Sequence, residues 1–215
     1  MTRRLSYLDS ATAVVLSLAV LLAVRPAGPL RATVEQWRAT RRAAQSTRRV
    51  WPALVSVAEP LYQASGPPDI IEFSDYECPF CRSAQVVVDS ALDRGLRIAV
   101  IHLPLRVHRR ARPAALGAIC AAQIGHFSEA HQFLMSNDGW ALDTGWAVVP
   151  ESIARFPVGA LTDCERSGAA ERVLREHLAM AESAQVRATP TFLSANGALD
   201  GPPSVARLAA LVTRR

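Results

Sequence analysis

Two of the four cysteines, Cys78 and Cys81, stand in a Cys-Pro-Phe-Cys run with Pro79 and Phe80 between them. Two thiols at that spacing can close into an inert disulfide, hold half of a zinc site, or exchange disulfides with another molecule. A four-thiolate zinc ribbon needs a second close pair, whereas Cys120 and Cys164 are far from each other and from the first two, so no metal site is expected. The surroundings of the pair favour exchange. The apolar, β-branched run Ile70 to Ser74 precedes it and a helical pattern from Pro79 to Leu92 follows it, so Cys78 falls at a helix N-terminus. Unpaired backbone N–H groups and the helix dipole stabilise an anion there, which makes Cys78 the thiol expected to attack as a thiolate. Pro79 suits the first helical turn, where its missing N–H costs nothing. Cys81 lies one turn along the same face and is expected to resolve the mixed disulfide.

The elements that must hold this pair are legible around it. Leu96 to Leu103 reads as a second buried strand, and strand, helix, strand at this spacing is a βαβ unit with parallel strands and a right-handed crossover. A long Ala-rich region with helical spacing follows, with breaks near Gly125, at Asn137-Asp138-Gly139 and at Gly159. Thr191 to Ser194 reads as a short strand, Asn196-Gly197 as a tight hairpin turn, and Ser204 to Val212 as a closing helix. Asp75, in the approach to the cysteines, is expected to organise the turn. His126 and His131 read as helix-packing residues, His102 and His108 flank the second strand without acids at metal spacing, and His177 stands alone on a charged helix.

The segments IEFSDYECPFC, LPLRVHRRARPAALGAICAAQIGHFSEAHQFL and VRATPTFLSANGALDG, taken together in order and spacing, resemble the DsbA-like branch of the thioredoxin superfamily. The resemblance covers most of residues 69–213. It implies an α/β thioredoxin-like fold with an inserted helical subdomain at about 105–185, in agreement with the Ala-rich region. It also implies that Pro190 is cis beside the cysteines and that the backbone of Thr189 pairs with an extended substrate. Glu72 stands where similar oxidoreductases carry a buried acid that moves protons at the resolving thiol; the other reading is an edge carboxylate facing water. Phe80 replaces the His of the most oxidising members and so removes a positive partner for the thiolate. Cys120 and Cys164, both in the insertion, form either a structural disulfide or two buried free thiols.

At 215 residues with half of them hydrophobic, the chain has room for one domain of catalytic size and an appendage. Every basic residue is Arg. The net charge of +5 is concentrated between Arg31 and Arg49, and no aromatic-and-basic module accompanies it, which argues against nucleic acid as a partner. The uncharged run Ala11 to Val24 predicts an N-terminal membrane-anchor helix within residues 1–30, the alternative being a cleaved signal. Residues 31–65 read as a helical spacer punctuated by Pro52 and Pro60, and 66–215 as the catalytic domain. Positive charge after the apolar run favours a cytoplasmic domain, but the chemistry suits an oxidising space, so export to the periplasm is the expectation. The expected activity is disulfide exchange with exported protein thiols in the oxidase direction, by a monomer recycled by a membrane redox partner and using no cofactor. Reductase or isomerase activity is the alternative, as is a catalytically silent tethered binding module.

Overall fold

A computed structural model describes residues 3–23, 29–137, 140 and 158–213. The expected break at Asp138-Gly139 lies outside these, as do residues 141–157 of the insertion and Arg25-Pro26 after the apolar run. The chain forms two compact units, Met1–Gln45 and Ser46–Arg215.

In the first unit, helix α1 (Arg3–Ala23) carries the apolar run, and Val14, Val15, Leu16, Leu18, Val20 and Leu21 are all more than half exposed. The sequence predicts a membrane anchor in this stretch; among the described residues no helix is long and apolar enough to cross a membrane. Arg3, Arg4 and Asp9 fall inside α1, and the uncharged remainder from Ser10 to Ala23 rises only about 21 Å against a hydrocarbon core of about 30 Å.

Helix α2 (Pro29–Val57) begins in the first unit and ends in the second. Pro52 does not stop it. Leu54 is fully buried on the sheet, with Val50, Trp51, Val55 and Val57 packed around it, and this apolar seam outweighs the lost helical hydrogen bond. Strand β1 (Glu59–Pro60) then pairs antiparallel with β3 (Ile98–His102). Residues 46–60, read as spacer, therefore pack as part of the second unit.

The five strands run in the order β1-β3-β2-β4-β5, with β2 (Ile70–Ser74) in the middle. β2 and β3 are parallel, joined through α3 (Pro79–Leu92), while β4 (Thr191–Ser194) is antiparallel to β2 and closes a hairpin with β5 (Gly197–Asp200). A central strand is covered on both faces, and every residue of β2 is buried. On one face Ile70, Ile98 and Phe192 pack against Ala84, Val88 and Ala91 of α3 and Leu208 and Leu211 of α8 (Val205–Thr213). On the other, Ile71, Phe73, Ile101 and Leu193 pack against Leu54 and Ala181.

Between β3 and β4 lie α4 (Ala111–Gln123), α5 (Phe127–Ser136), α6 (Val158–Ser167) and α7 (Ala169–Ser183). Cys120 of α4 and Cys164 of α6 are joined by a disulfide, with Ile119 and Leu174 buried around it. This is the thioredoxin-like α/β fold with an inserted helical subdomain that the sequence predicts.

Candidate functional site

The turn that presents the cysteines is built by Asp75. Its backbone carbonyl accepts from Cys78 N at 3.1 Å, and its Oδ1 accepts from Glu77 N at 2.8 Å. Its Oδ2 accepts from Leu105 N at 2.8 Å and lies 2.7 Å from His108 Nδ1, which ties the 105–110 loop to the same turn. Glu77 adds a second tie, its Oε2 accepting from Arg110 N and Ala111 N at the start of α4. Asp75 is thus the turn organiser that its place before the motif suggests.

Cys78 is the N-cap of α3 and Pro79 follows it in the first turn. Its side chain makes no capping hydrogen bond and instead points its Sγ at the carbonyl oxygen of Thr189, 3.4 Å away. The Thr189–Pro190 peptide is cis, as the resemblance implies. Cys78 is 3% exposed and Cys81 fully buried, and both are free thiols. Phe80 between them is 61% exposed. The motif therefore presents an aromatic surface over a shielded thiol pair.

Glu72 is fully buried on β2, which removes the reading of an edge carboxylate facing water. Neither carboxylate oxygen has a protein hydrogen-bond partner, and burial pushes the group up to about 7. Cys81 is pushed far above the ordinary thiol range, first by burial and then by the charge of Glu72. The two groups are electrostatically linked: a charged Glu72 opposes a charged Cys81, and a Glu72 that takes up a proton relieves it.

Sequence reasoning missed a polar chain behind the thiols. Asp89 Oδ1 accepts from Gln85 Nε2 at 2.8 Å, which turns Gln85 Oε1 toward His131 Nε2 at 3.0 Å. His131 Nε2 then carries the proton, and its bare Nδ1 accepts from Tyr76 OH at 3.1 Å. Burial holds His131 neutral, with its pKa lowered to about 3, and raises Tyr76 well above its ordinary range. Tyr76 packs with Cys78 and Cys81, so this chain braces the wall of the thiol site. The spacing of Gln85 and Asp89, four apart on a helix, was a visible sign; the reach from α3 to His131 on α5 was not.

His177 does not stand alone on its helix. Its Nδ1 accepts from His102 N at 3.2 Å and its Nε2 donates to Val57 O at 2.8 Å, linking α7, β3 and the end of α2. His102 lies within ring contact of Tyr76, Phe127 and His177, and burial holds it neutral.

A free cysteine pair at the start of the helix after the central strand, with a cis-proline loop against it, places the chain in the class of thioredoxin-like folds. A family model described as Thioredoxin matches residues 63–214, and the chain belongs to that family. It is 30% identical over 162 residues to the Na(+)/H(+) antiporter NhaA 3 of Salinispora tropica, covering 68% of this chain and 23% of that protein. The chain thus spans less than a quarter of the length of the curated relatives it matches. Among solved structures, a thioredoxin-like oxidoreductase from Silicibacter pomeroyi is similar at 24% identity and a TM-score of 0.61, covering 74% of this chain and 91% of that one. The thiol-disulfide exchange protein alpha-DsbA2 from Wolbachia pipientis is similar at 12% identity and a TM-score of 0.66, covering 81% of this chain and 96% of that one.

Proposed function

We propose that the chain exchanges disulfides with protein thiols, Cys78 forming the mixed disulfide and Cys81 resolving it. The observation that carries this reading is the pair itself: a free thiol at a helix N-terminus, 3.4 Å from the Thr189 carbonyl, with a second thiol one turn behind it. In the oxidising direction, a substrate thiolate attacks the Cys78–Cys81 disulfide. The substrate–Cys78 bond forms, the Cys78–Cys81 bond breaks, and Cys81 leaves as the thiol after taking a proton from Glu72. A second substrate thiolate then displaces Cys78, so the substrate gains a disulfide and the enzyme keeps two electrons as two thiols. Thr189 and Pro190 line the place where an extended substrate chain lies, its backbone pairing with Thr189.

Oxidation is the favoured direction. The Cys120–Cys164 disulfide supports a working place outside the cytoplasm, where such bonds persist and nascent chains need new ones. Attachment to a membrane through the exposed apolar side chains of α1 fits the antiporter name of the relative, and a membrane redox partner would reoxidise the pair. The test is the redox equilibrium of Cys78 and Cys81 against glutathione. An oxidase is expected to poise nearer about −120 mV, and a value near about −270 mV would assign the reverse direction.

A further inference from the structure

The surface around the thiols has an unusual charge distribution. The acids nearest Cys78 are turned inward: Asp75 is 2% exposed and holds Leu105 N and His108, and Glu77 holds the start of α4. These same contacts fasten the 105–110 loop to the cysteine turn, and that loop exposes Arg106 and Arg109 on either side of Val107, which is 80% exposed. β3, which leads into that loop, and β4, which follows Thr189, lie on opposite sides of β2, and Arg187 is exposed two residues before Thr189, whose carbonyl meets Cys78 Sγ. Phe80, inside the motif, is exposed as well. The nearest exposed acid on the sheet, Asp200, is bonded to Thr191.

Two exposed apolar side chains and three exposed guanidinium groups thus stand on the motif and on the two loops that meet at the cysteine turn. We propose that this surface selects extended protein segments in which the reacting cysteine is flanked by Asp or Glu and by an apolar side chain. The inference rests on the exchange reaction proposed above and names its substrate class. Arg is suited to this because its planar fork meets a carboxylate with two hydrogen bonds and stacks on aromatic faces. An apolar residue of the segment covers Phe80 and Val107, and acidic residues reach Arg106, Arg109 and Arg187. A field of one sign around a reactive site raises the encounter rate of oppositely charged ligands by roughly ten-fold or more at low salt.

The test uses the full chain carrying Cys81→Ser and single-cysteine peptides activated as 2-pyridyl disulfides. Cys78 attacks the peptide sulfur, the Cys78–peptide bond forms, the peptide–pyridyl bond breaks, and 2-thiopyridone leaves, so its absorbance reads the rate whatever the physiological direction. A peptide with Glu and Leu beside cysteine is compared with one carrying Arg and Leu, and 2,2′-dipyridyl disulfide serves as the uncharged reference. The acidic peptide is expected to react about ten-fold faster at low salt. That ratio should fall toward one at 1 M salt, where the screening length is only about 3 Å, and invert in R106E/R109E/R187E. Because the ratio of two peptides on one protein is read, a general loss of activity does not imitate the result. Equal rates for the two peptides, on a protein that reacts with dipyridyl disulfide, overturn the proposal. Absence of reaction with dipyridyl disulfide overturns the role of Cys78, and the substrate class with it.

Discussion

Glu72 is the residue in which stability and chemistry meet. Its carboxyl is fully buried without a partner and its pKa is raised from 4.5 to about 7. The folded chain therefore holds this proton more tightly than the unfolded chain. Between those two values unfolding releases the proton, so the contribution of Glu72 to stability is full below about pH 4.5, declines as pH rises through about 7, and stays at its lowest above that. Glu72→Gln carries no such charge, so in urea unfolding it should match the parent near pH 4 and exceed it at pH 8, by on the order of 3 kcal/mol. An equal difference at both pH values would contradict the assignment of a buried, titrating carboxyl. The same variant has no proton to give Cys81, which should slow release of that thiol during exchange. Position relative to the cysteines marked Glu72 as a candidate, but its burial depends on α3 and the insertion helices covering β2, which no local pattern states.

At the scale of elements, local signals worked where one stretch of chain decides its own structure. Ile70–Ser74, Pro79–Leu92 and Thr191–Ser194 form where apolar runs, the motif proline and the flanking turns put them. They failed where a partner decides. Pro52 looks like a break, yet the buried seam around Leu54 carries α2 to Val57. Glu59–Pro60 is too short to read as a strand and exists because the edge of β3 pairs with it. The disulfide between α4 and α6 was one of two readings, since sequence alone does not say whether two distant cysteines approach. It closes 44 residues of chain, and the chain-entropy model gives a cross-link of that span about 4 kcal/mol. Replacing both Cys120 and Cys164 by Ala should lower the unfolding free energy by about 2–4 kcal/mol while leaving the exchange chemistry in place. Chemical denaturation beside an exchange assay on the double variant checks both parts, and unchanged stability would show that the insertion is held by its core alone.

For the whole molecule, the division at Ser46 predicts which truncations survive. Deleting residues 1–45 should leave a folded domain with full exchange activity, because the sheet, the end of α2 that packs on it, the other covering helices and the thiol site lie beyond them. Deleting 1–65 removes Leu54 and β1, exposes the edge of β3 and leaves His177 Nε2 without the Val57 carbonyl. Loss of a fully buried Leu alone costs about 2–5 kcal/mol, so this longer deletion should unfold at markedly lower denaturant. Circular dichroism melts of the two truncated chains separate these outcomes; equal melts would mean that residues 46–60 contribute little. The central claim concerns the intact chain and its protein substrates: Cys78 makes the mixed disulfide and Cys81 breaks it. Its most direct measurement is mass spectrometry of the covalent complexes formed when Cys81→Ala and Cys78→Ala variants meet a disulfide-bonded protein such as insulin. The account predicts a stable complex through Cys78 in the first variant and none in the second. A Cys81→Ala variant that turns over like the parent, or a complex that forms without Cys78, would contradict it.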